Sequence, residues 1–261
     1  MVARQDVTVV NDTPNSPPSK TDHARSFDAA AHVYEESRPG YPADAVDWLV
    51  PADARRVLDV GAGTGKFTRM LQGEDREVIA VDPSPQMLEV LRDKVPGVET
   101  LLGTAERLPL PDESIDAVTF AQAWHWVEPG RGEREVARVL KPGGTLGLVW
   151  NSRDDRVDWV RELGEAMGSN DGYSPSALAE HPVGAPFEDG ESAEFGWVQR
   201  LSRPGILTLV RSRSYFLVKD AEGQAETLRR VEALLDRHPE IERAGVIELP
   251  YVTQAYRFRR A

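Results

Sequence analysis

The chain contains no cysteine, and this absence excludes disulfide bonds, thiolate catalysis and metal sites with cysteine ligands. No apolar run approaches the roughly 20 residues that a membrane-spanning helix requires. Basic residues are scarce relative to acidic ones, 31 against 43, and the net charge of −12 opposes contact with the phosphate backbone of a nucleic acid. The sequence therefore predicts a small molecule as substrate, with neither a nucleic acid nor a membrane as partner, and leaves the oligomeric state open.

Residues 1–25 contain few large apolar side chains and many Asp, Asn, Thr, Ser and Pro residues. This composition predicts a disordered N-terminal tail, because too little apolar surface is available to stabilise an ordered structure. The most apolar stretch of the tail, Val7–Val10, is too short to be the core of a signal peptide, and we therefore expect a cytoplasmic protein.

A glycine-rich turn follows the first predicted strand, at 56–60. The turn reads G-A-G-T-G from Gly61 to Gly65 and leads into a predicted helix at 66–72. Alternate glycines let the backbone bend sharply and let a ligand lie against bare N–H groups. A strand, such a turn and a helix N-terminus are typical of a nucleotide-type cofactor site in an open α/β sheet. The spacing differs from G-x-G-x-x-G, which suits a pyrophosphate best.

Short apolar runs alternate with helical patterns along most of the chain. The predicted strands are 56–60, 77–81, 98–102, 115–120, 145–150, 195–202 and 246–258, and helices are predicted at 43–49, 66–72, 85–94, 131–140, 155–167 and 226–235. Nearly continuous apolar strands that alternate with helices are typical of a parallel sheet covered on both faces. The predicted fold class is therefore α/β, a doubly wound and mostly parallel sheet of seven strands.

Polar residues follow the second and third predicted strands. Asp82 comes about 20 residues after the glycine turn, where a carboxylate can accept hydrogen bonds from both ribose hydroxyls; alternatively, it caps the helix that begins near Ser84. Thr104, Ala105 and Glu106 can present backbone and side-chain groups to an adenine edge. All these groups lie at the carboxyl ends of strands, where open α/β sheets bind ligands.

Five segments between Val57 and Trp150 occur in a characteristic order: V-L-D-V-G-A-G-T-G, V-I-A-V-D-P-S, G-T-A-E-R-L-P, S-I-D-A-V-T-F and R-V-L-K-P-G-G-T-L. This ordered set resembles class I S-adenosylmethionine-dependent methyltransferases. Motifs at 34–42 and 122–126 further resemble the type 11 subgroup, which acts on small molecules and includes trans-aconitate methyltransferase-like proteins. The resemblance implies a Rossmann-like fold with an antiparallel edge strand near the C-terminus, a domain at 26–261 with its cofactor-binding core at 55–151, and substrate or lid elements at 26–50 and 152–216.

The resemblance also implies which residues contact S-adenosylmethionine. The glycine turn and Asp59 would line the methionine part, Asp82 would bind the ribose, and Tyr34 and Arg38 either form a lid over the cofactor or pack on the core. The full implied set is Tyr34, Arg38, Asp59, Gly61, Ala62, Gly63, Gly65, Asp82, Pro83, Met87, Thr104, Ala105, Glu106, Ala121 and Gln122. Many relatives carry an aspartate in place of Thr104, so Glu106 or a backbone carbonyl is expected to contact the adenine amino group here.

Candidate catalytic and substrate residues lie further along the chain. His125 follows the fourth strand and can act as a general base if the acceptor is a hydroxyl; alternatively, it is a wall residue. The flanking Trp124 and Trp126 are interpreted as packing and pocket wall at the substrate. Arg213 and Tyr215 either offer polar groups to the substrate or belong to a helix with a solvated basic face. No histidine has the spacing of a metal ligand.

The sequence therefore predicts an S-adenosylmethionine-dependent methyltransferase that uses no metal and methylates a carboxylate or hydroxyl oxygen of a small molecule. A nicotinamide-dependent dehydrogenase is an alternative, because it would share the glycine turn and the ribose-binding acid, but the turn spacing disfavours it. A non-catalytic cofactor-binding protein is a further alternative, because a fold alone does not establish a reaction.

Overall fold

The computed structural model describes residues 39–169, 172–173, 178, 182–188, 190–243 and 245–261. The predicted tail, Tyr34 and Arg38 lie outside the described residues. Within the described ranges, no helix combines the length and apolar character needed to cross a membrane.

The first half of the described chain alternates strands and helices. These elements are α1 (Ala43–Leu49), β1 (Arg56–Val60), α2 (Thr68–Leu71), β2 (Glu77–Asp82), α3 (Pro85–Lys94), β3 (Glu99–Leu102), β4 (Ile115–Ala121), a 3-10 helix (Trp124–Trp126), α4 (Arg131–Val139) and β5 (Leu140–Arg153). The second half contains α5 (Asp158–Met167), β6 (Glu191–Leu201), α6 (Arg203–Arg211), α7 (Ser214–Leu217), α8 (Ala221–Arg237), a 3-10 helix (Pro239–Ile241), β7 (Glu242–Arg243) and β8 (Val246–Arg259).

These strands form one sheet in the order β3-β2-β1-β4-β5-β8-β6, and the two-residue β7 pairs with β8. Strands β1 to β5 are parallel, whereas β8 runs antiparallel to both β5 and β6. The predicted α/β class, the mostly parallel sheet and the antiparallel strand pair at its edge are confirmed. Because β1 pairs with β2 on one side and β4 on the other, the strand order reverses at β1, and open α/β sheets bind ligands at such a switch point.

Alternating side chains of the central strands build a core on each face of the sheet. On one face, Val57 and Val149 pack with Leu49 of α1. On the other face, Leu58 and Leu148 pack in a cluster that includes Val136 and Val139 of α4. Burial on both faces explains why these strands could be predicted as continuous apolar runs.

The alternative interpretation of Arg213 and Tyr215 placed both residues in one helix, at 206–216, but this segment is not a single helix. It divides into α6 and α7 around Ser212 and Arg213. The Ser212 hydroxyl donates to the Leu209 carbonyl at 2.7 Å, and Arg213 is extended, with ψ of 137°. A serine that bonds to its own helix favours such a break. A second apolar cluster, which includes Leu163 of α5, Leu209 of α6 and Val231 of α8, then holds this turn near β8.

Replacing Gly147 of β5 with alanine is expected to destabilise the fold. The added Cβ would lie 2.6 Å from Cγ of Leu49, which is fully buried, so α1 would have to move away from the sheet. Overpacking of this kind costs about 1–3 kcal/mol of unfolding free energy. The matched control is Gly196→Ala in β6, where no atom lies within 4 Å of an added Cβ. Urea denaturation measures both variants; equal stabilities would contradict the packing described here.

Candidate active site

A pocket opens at the carboxyl ends of β1, β4 and β5. Its described lining residues are Pro39, Tyr41, Asp59, Gly61, Ala62, Gly63, Thr64, Lys66, Phe67, Ala121, Gln122, Asn151 and Arg213. The pocket thus brings the glycine turn together with Ala121, Gln122 and Arg213, three residues from the sequence-predicted site that are distant from the turn in the chain. The sequence-predicted site omitted Asn151, although a polar residue directly after the apolar run of β5 was a usable signal.

The backbone N–H groups of the glycine turn are engaged within the protein. The Gly61 and Ala62 amides donate to the Val81 carbonyl at 2.8 and 3.1 Å, and the Gly65 amide donates to the Ala62 carbonyl at 3.0 Å. The Gly63 amide donates to Oδ2 of Asp82 at 2.8 Å. The expectation that these four N–H groups are bare was therefore wrong, because the end of β2 and the turn itself accept hydrogen bonds from them.

The three glycines of the turn serve different purposes. Each has a positive φ, a conformation that L side chains rarely adopt. A Cβ on Gly61 would lie 2.6 Å from Cβ of Ala123, and a Cβ on Gly65 would lie 2.8 Å from side-chain atoms of Leu91, so these two glycines permit close packing. Gly63 instead has no atom within 4 Å of an added Cβ. Open space above Gly63 is compatible with a ligand lying against the turn.

Asp82 connects the end of β2 to the glycine turn. Besides accepting from Gly63, its carboxylate accepts from the Ser84 amide through Oδ1 at 2.8 Å. Ser84 is the residue that caps α3, since its hydroxyl accepts from the Met87 amide at 3.2 Å. Each carboxylate oxygen can accept more than one hydrogen bond, so these contacts are compatible with additional donors from a ribose. The ribose contact stays a prediction.

Asp59 is a buried carboxyl group beneath the turn, with 1% of its surface exposed. Burial raises the pKa of Asp59 from 3.8 to about 7. Hydrogen bonds that the hydroxyls of Thr68 and Thr119 donate, at 2.6 and 3.2 Å, oppose this rise, while the nearby charge of Asp82 adds to it. Near neutral pH the floor of the pocket therefore carries an acid that a cationic ligand would help to ionise.

Gln122 follows β4 with a φ of 57°, a strained value for a residue with a side chain. Its amide donates to the Val149 carbonyl and its side-chain Nε2 donates to the Asn151 carbonyl, both at 2.9 Å. The Asn151 side chain in turn donates to the Gly40 carbonyl at 2.7 Å. Strained backbone that is held by several hydrogen bonds is found most often at functional sites. This network fixes the wall of the pocket between β4 and β5.

The residues predicted to surround adenine follow β2 and β3. Met87 is buried and Pro83 is exposed. Thr104 is exposed, whereas Ala105 packs in the core. Oε1 of Glu106 accepts from the Glu128 amide at 2.9 Å, so this carboxylate fixes a loop and the adenine contact expected of it stays a prediction.

Leu102, which the sequence analysis did not select, ends β3 with 60% of its surface exposed. A large apolar side chain exposed at the carboxyl end of a strand can cover a flat ring.

The candidate substrate residues after β4 occupy different environments. Trp124 is buried and packs edge-to-face on Phe120, with ring centroids 4.9 Å apart. Trp126 is 44% exposed, and its ring centroid lies 4.9 Å from that of half-buried His125. None of these three residues is among the pocket's described lining residues. Their roles at the substrate stay predictions.

Arg213 and Tyr215 also differ from each other. Arg213 lines the pocket and is 8% exposed, so a solvated basic face does not describe it. Arg211, two residues earlier, is exposed. Tyr215 packs beside the second apolar cluster, and its hydroxyl is buried without a hydrogen-bond partner among the described residues. Tyr215 is not among the described lining residues of the pocket.

Comparisons with known proteins agree with this geometry. A family model described as a methyltransferase domain matches residues 58–148. An uncharacterised methyltransferase of Mycobacterium tuberculosis is 50% identical over 239 residues, which cover 92% of this chain and 97% of that protein. A malonyl-(acyl-carrier protein) O-methyltransferase of Methylococcus capsulatus is 42% identical over 125 residues, which cover 46% of this chain and 44% of that protein.

A solved structure from Anaeromyxobacter dehalogenans, assigned as a type II methyltransferase, superposes with a TM-score of 0.62 at 23% identity and covers 85% of this chain and 97% of that chain. The sheet order, the glycine turn and the acids near the carboxyl ends of β1 and β2 are typical of an α/β protein with a nucleoside-type cofactor site. The chain belongs to the class I S-adenosylmethionine-dependent methyltransferases, type 11, since the matched relative covers nearly the whole chain.

The raised pKa of Asp59 gives stability a specific pH dependence. Between pH 3.8, the ordinary value for Asp, and about pH 7, the folded state holds a proton that the unfolded state has released. The free energy of unfolding should therefore fall as pH rises through this window, by about 1.4 kcal/mol per unit from this group, and should not fall further above it.

Asp59→Asn removes this contribution, so the stability of the variant relative to the parent should increase from pH 4 to pH 7. Exposed Asp93 of α3 supplies the control variant Asp93→Asn. Denaturant midpoints across this range measure the difference between parent and variant. Parallel curves for the parent and Asp59→Asn would contradict a raised pKa.

Proposed function

We propose that this methyltransferase transfers the methyl group of S-adenosylmethionine to an oxygen of a small molecule. The observation that carries the proposal is the supply of hydrogen-bond acceptors at the glycine turn. Four of its amides are engaged within the protein, while the carboxyl groups of Asp59 and Asp82 lie beside it. Such a site favours an ammonium or sulfonium group over a pyrophosphate, which binds to unengaged N–H groups at a helix N-terminus.

The same observation opposes a nicotinamide dinucleotide. The helix after the turn, α2, has only four residues, Thr68–Leu71, so its dipole offers little to a pyrophosphate. The residues present thus fit a cationic, phosphate-free cofactor.

The sheet order gives the cofactor a direction. The adenine residues follow β3, Asp82 ends β2, and the glycine turn follows β1, with Ala121 and Gln122 after β4. The cofactor is proposed to lie across these strand ends in the order adenine, ribose, methionine. Gly61, Ala62, Gly63 and Gly65 would then line the methionine part, and Asp59 would support its ammonium group.

S-adenosylmethionine supplies a methyl group that is already activated on a sulfonium. The protein has to hold the acceptor in line with that methyl group and to exclude water, and orientation alone can contribute roughly 7–11 kcal/mol in favourable cases. The hydrogen bonds of Gln122 and Asn151 support this by fixing the pocket wall next to the proposed methyl position. A stretch that covers 46% of this chain is similar to an O-methyltransferase, and this similarity supports an oxygen atom as the methyl acceptor.

Several expectations from the sequence stay predictions. They are the absence of a metal, a small molecule as partner without nucleic acid or membrane, and a cytoplasmic location. Among the described residues, no group of three or more His, Asp or Glu side chains is placed to hold a metal ion.

Asp82→Ala should weaken binding of S-adenosylhomocysteine, because up to two charge-assisted hydrogen bonds to the ribose are lost. Each such bond contributes about 1.5–3 kcal/mol, so the dissociation constant should rise at least about tenfold. The variant also loses the contact to Gly63, and a ligand without ribose hydroxyls, the 2′,3′-dideoxy analogue, separates the two effects.

Calorimetry should show that Asp82→Ala affects the dideoxy analogue much less than S-adenosylhomocysteine. Asp93→Ala, on the exposed side of α3, is the control and should bind both ligands as the parent does. Equal losses for the two ligands would assign Asp82 to the turn alone and would refute the ribose contact.

His125 is proposed as the general base if the acceptor is a hydroxyl. Its position in the 3-10 helix that follows β4, beyond the strand end where the methyl group would be transferred, supports this proposal. His125→Ala should then slow the chemical step by about 10²–10⁴-fold while the affinity for S-adenosylhomocysteine stays unchanged. Single-turnover kinetics measures this step, and a rate within a factor of about three of the parent would rule out a base.

A further inference from the structure

Arg213 enters the pocket from the C-terminal helices rather than from the cofactor-binding strands. Its backbone is fixed at the α6–α7 turn, since its amide donates to the Val210 carbonyl at 3.2 Å and its carbonyl accepts from the Phe216 amide at 2.9 Å. Val210 and Phe216 are both buried in the second apolar cluster. The position of Arg213 at the pocket is therefore set by packing, not by a mobile surface loop.

The guanidinium group of Arg213 contacts β8. Its Nη2 lies 3.5 Å from the hydroxyl of Tyr251. Tyr251 is 2% exposed and stacks on Trp197, with ring centroids 5.1 Å apart, and Nε1 of Trp197 donates to the Thr253 hydroxyl at 2.9 Å. A cation held by rigid neighbours needs little ordering when a ligand binds.

The sheet order separates a cofactor half of the pocket from an acceptor half. On the proposed function, the cofactor extends from the β1 turn towards β2 and β3. The acceptor must approach from the opposite side, over β4, β5 and β8. Neighbouring strands lie about 4.8 Å apart, so β8 stands roughly 14 Å across the sheet from β1. Arg213, which contacts Tyr251 of β8, therefore belongs to the acceptor half.

The charges of the pocket agree with this division. Among its described lining residues, Lys66 lies just after the glycine turn, on the cofactor half, and Arg213 is the cation of the acceptor half. A buried guanidinium group binds a carboxylate in a bidentate manner and much more strongly than it does in water. In a chain with a net charge of −12, an anionic molecule needs such a local cation to enter.

We propose that the methyl acceptor carries a carboxylate group, which the guanidinium group of Arg213 binds on the β8 side of the pocket. This inference rests on the proposed function and adds the class of substrate to it. Arg213 anchors the acceptor through this carboxylate. The contact does not specify which oxygen of the acceptor receives the methyl group.

The test uses the protein saturated with S-adenosylhomocysteine and four carboxylate probes, malonate, succinate, citrate and benzoate, each beside its neutral amide. Calorimetry measures probe binding to the parent, Arg213→Met, Arg213→Lys and the matched control Arg211→Met, which changes an exposed arginine two residues away. Melting temperatures show that each variant is folded. S-adenosylhomocysteine is titrated first, and failure of the parent to bind it would contradict the proposed function rather than this inference.

At least one carboxylate, but not its amide, should bind to the parent and to Arg211→Met. Arg213→Met should bind it about 10- to 100-fold more weakly, and Arg213→Lys should lie between, because lysine keeps the charge and loses the bidentate geometry. The inference is overturned if no probe binds to the parent, or if Arg213→Met binds the probes as the parent does. It is also overturned if Arg213→Met weakens only S-adenosylhomocysteine, since Arg213 would then hold the carboxylate of the cofactor.

Discussion

The hydrogen bond between the carboxylate of Asp82 and the amide of Gly63 joins the end of β2 to the glycine turn after β1, and the site depends on it. Together with the bonds from Gly61 and Ala62 to the Val81 carbonyl, it engages three amides of the turn and leaves a surface with open space above Gly63. Buried Asp59 adds an acid below that surface. A turn built in this way presents acceptors to its ligand, which distinguishes it physically from the donor-rich turns that bind pyrophosphate.

Much of the fold could be predicted because β1, β4 and β5 are buried on both faces and therefore read as apolar runs. The glycine spacing and Asp82 indicated the cofactor site for a similar reason, since strand, turn and acid are local in sequence. The engaged amides of Gly61, Ala62 and Gly63 could not be predicted, because their bonds join the turn to β2. The raised pKa of Asp59 could not be predicted either, because burial is a property of the packed structure and not of the D-V-G pattern.

The acceptor half was harder to predict, because its residues come together only through tertiary packing. Asn151 lies near the carboxyl end of β5, Tyr251 lies on β8, and Arg213 lies between two short helices that a helical pattern at 206–216 would have merged. The family model matches residues 58–148, so all three residues lie beyond it. The shared core thus contains the residues predicted to bind the cofactor, while the acceptor recognition proposed above depends on the C-terminal elements that follow it.

The most direct test of the account is a calorimetric titration of the parent protein with S-adenosylhomocysteine and, separately, with NADH. An acceptor-rich turn whose Gly61, Ala62, Gly63 and Gly65 amides are engaged within the protein should bind S-adenosylhomocysteine at one site per chain and should give no binding heat with NADH. Binding of NADH, or a lack of binding by S-adenosylhomocysteine to the folded protein, would contradict the proposed chemistry of the glycine turn.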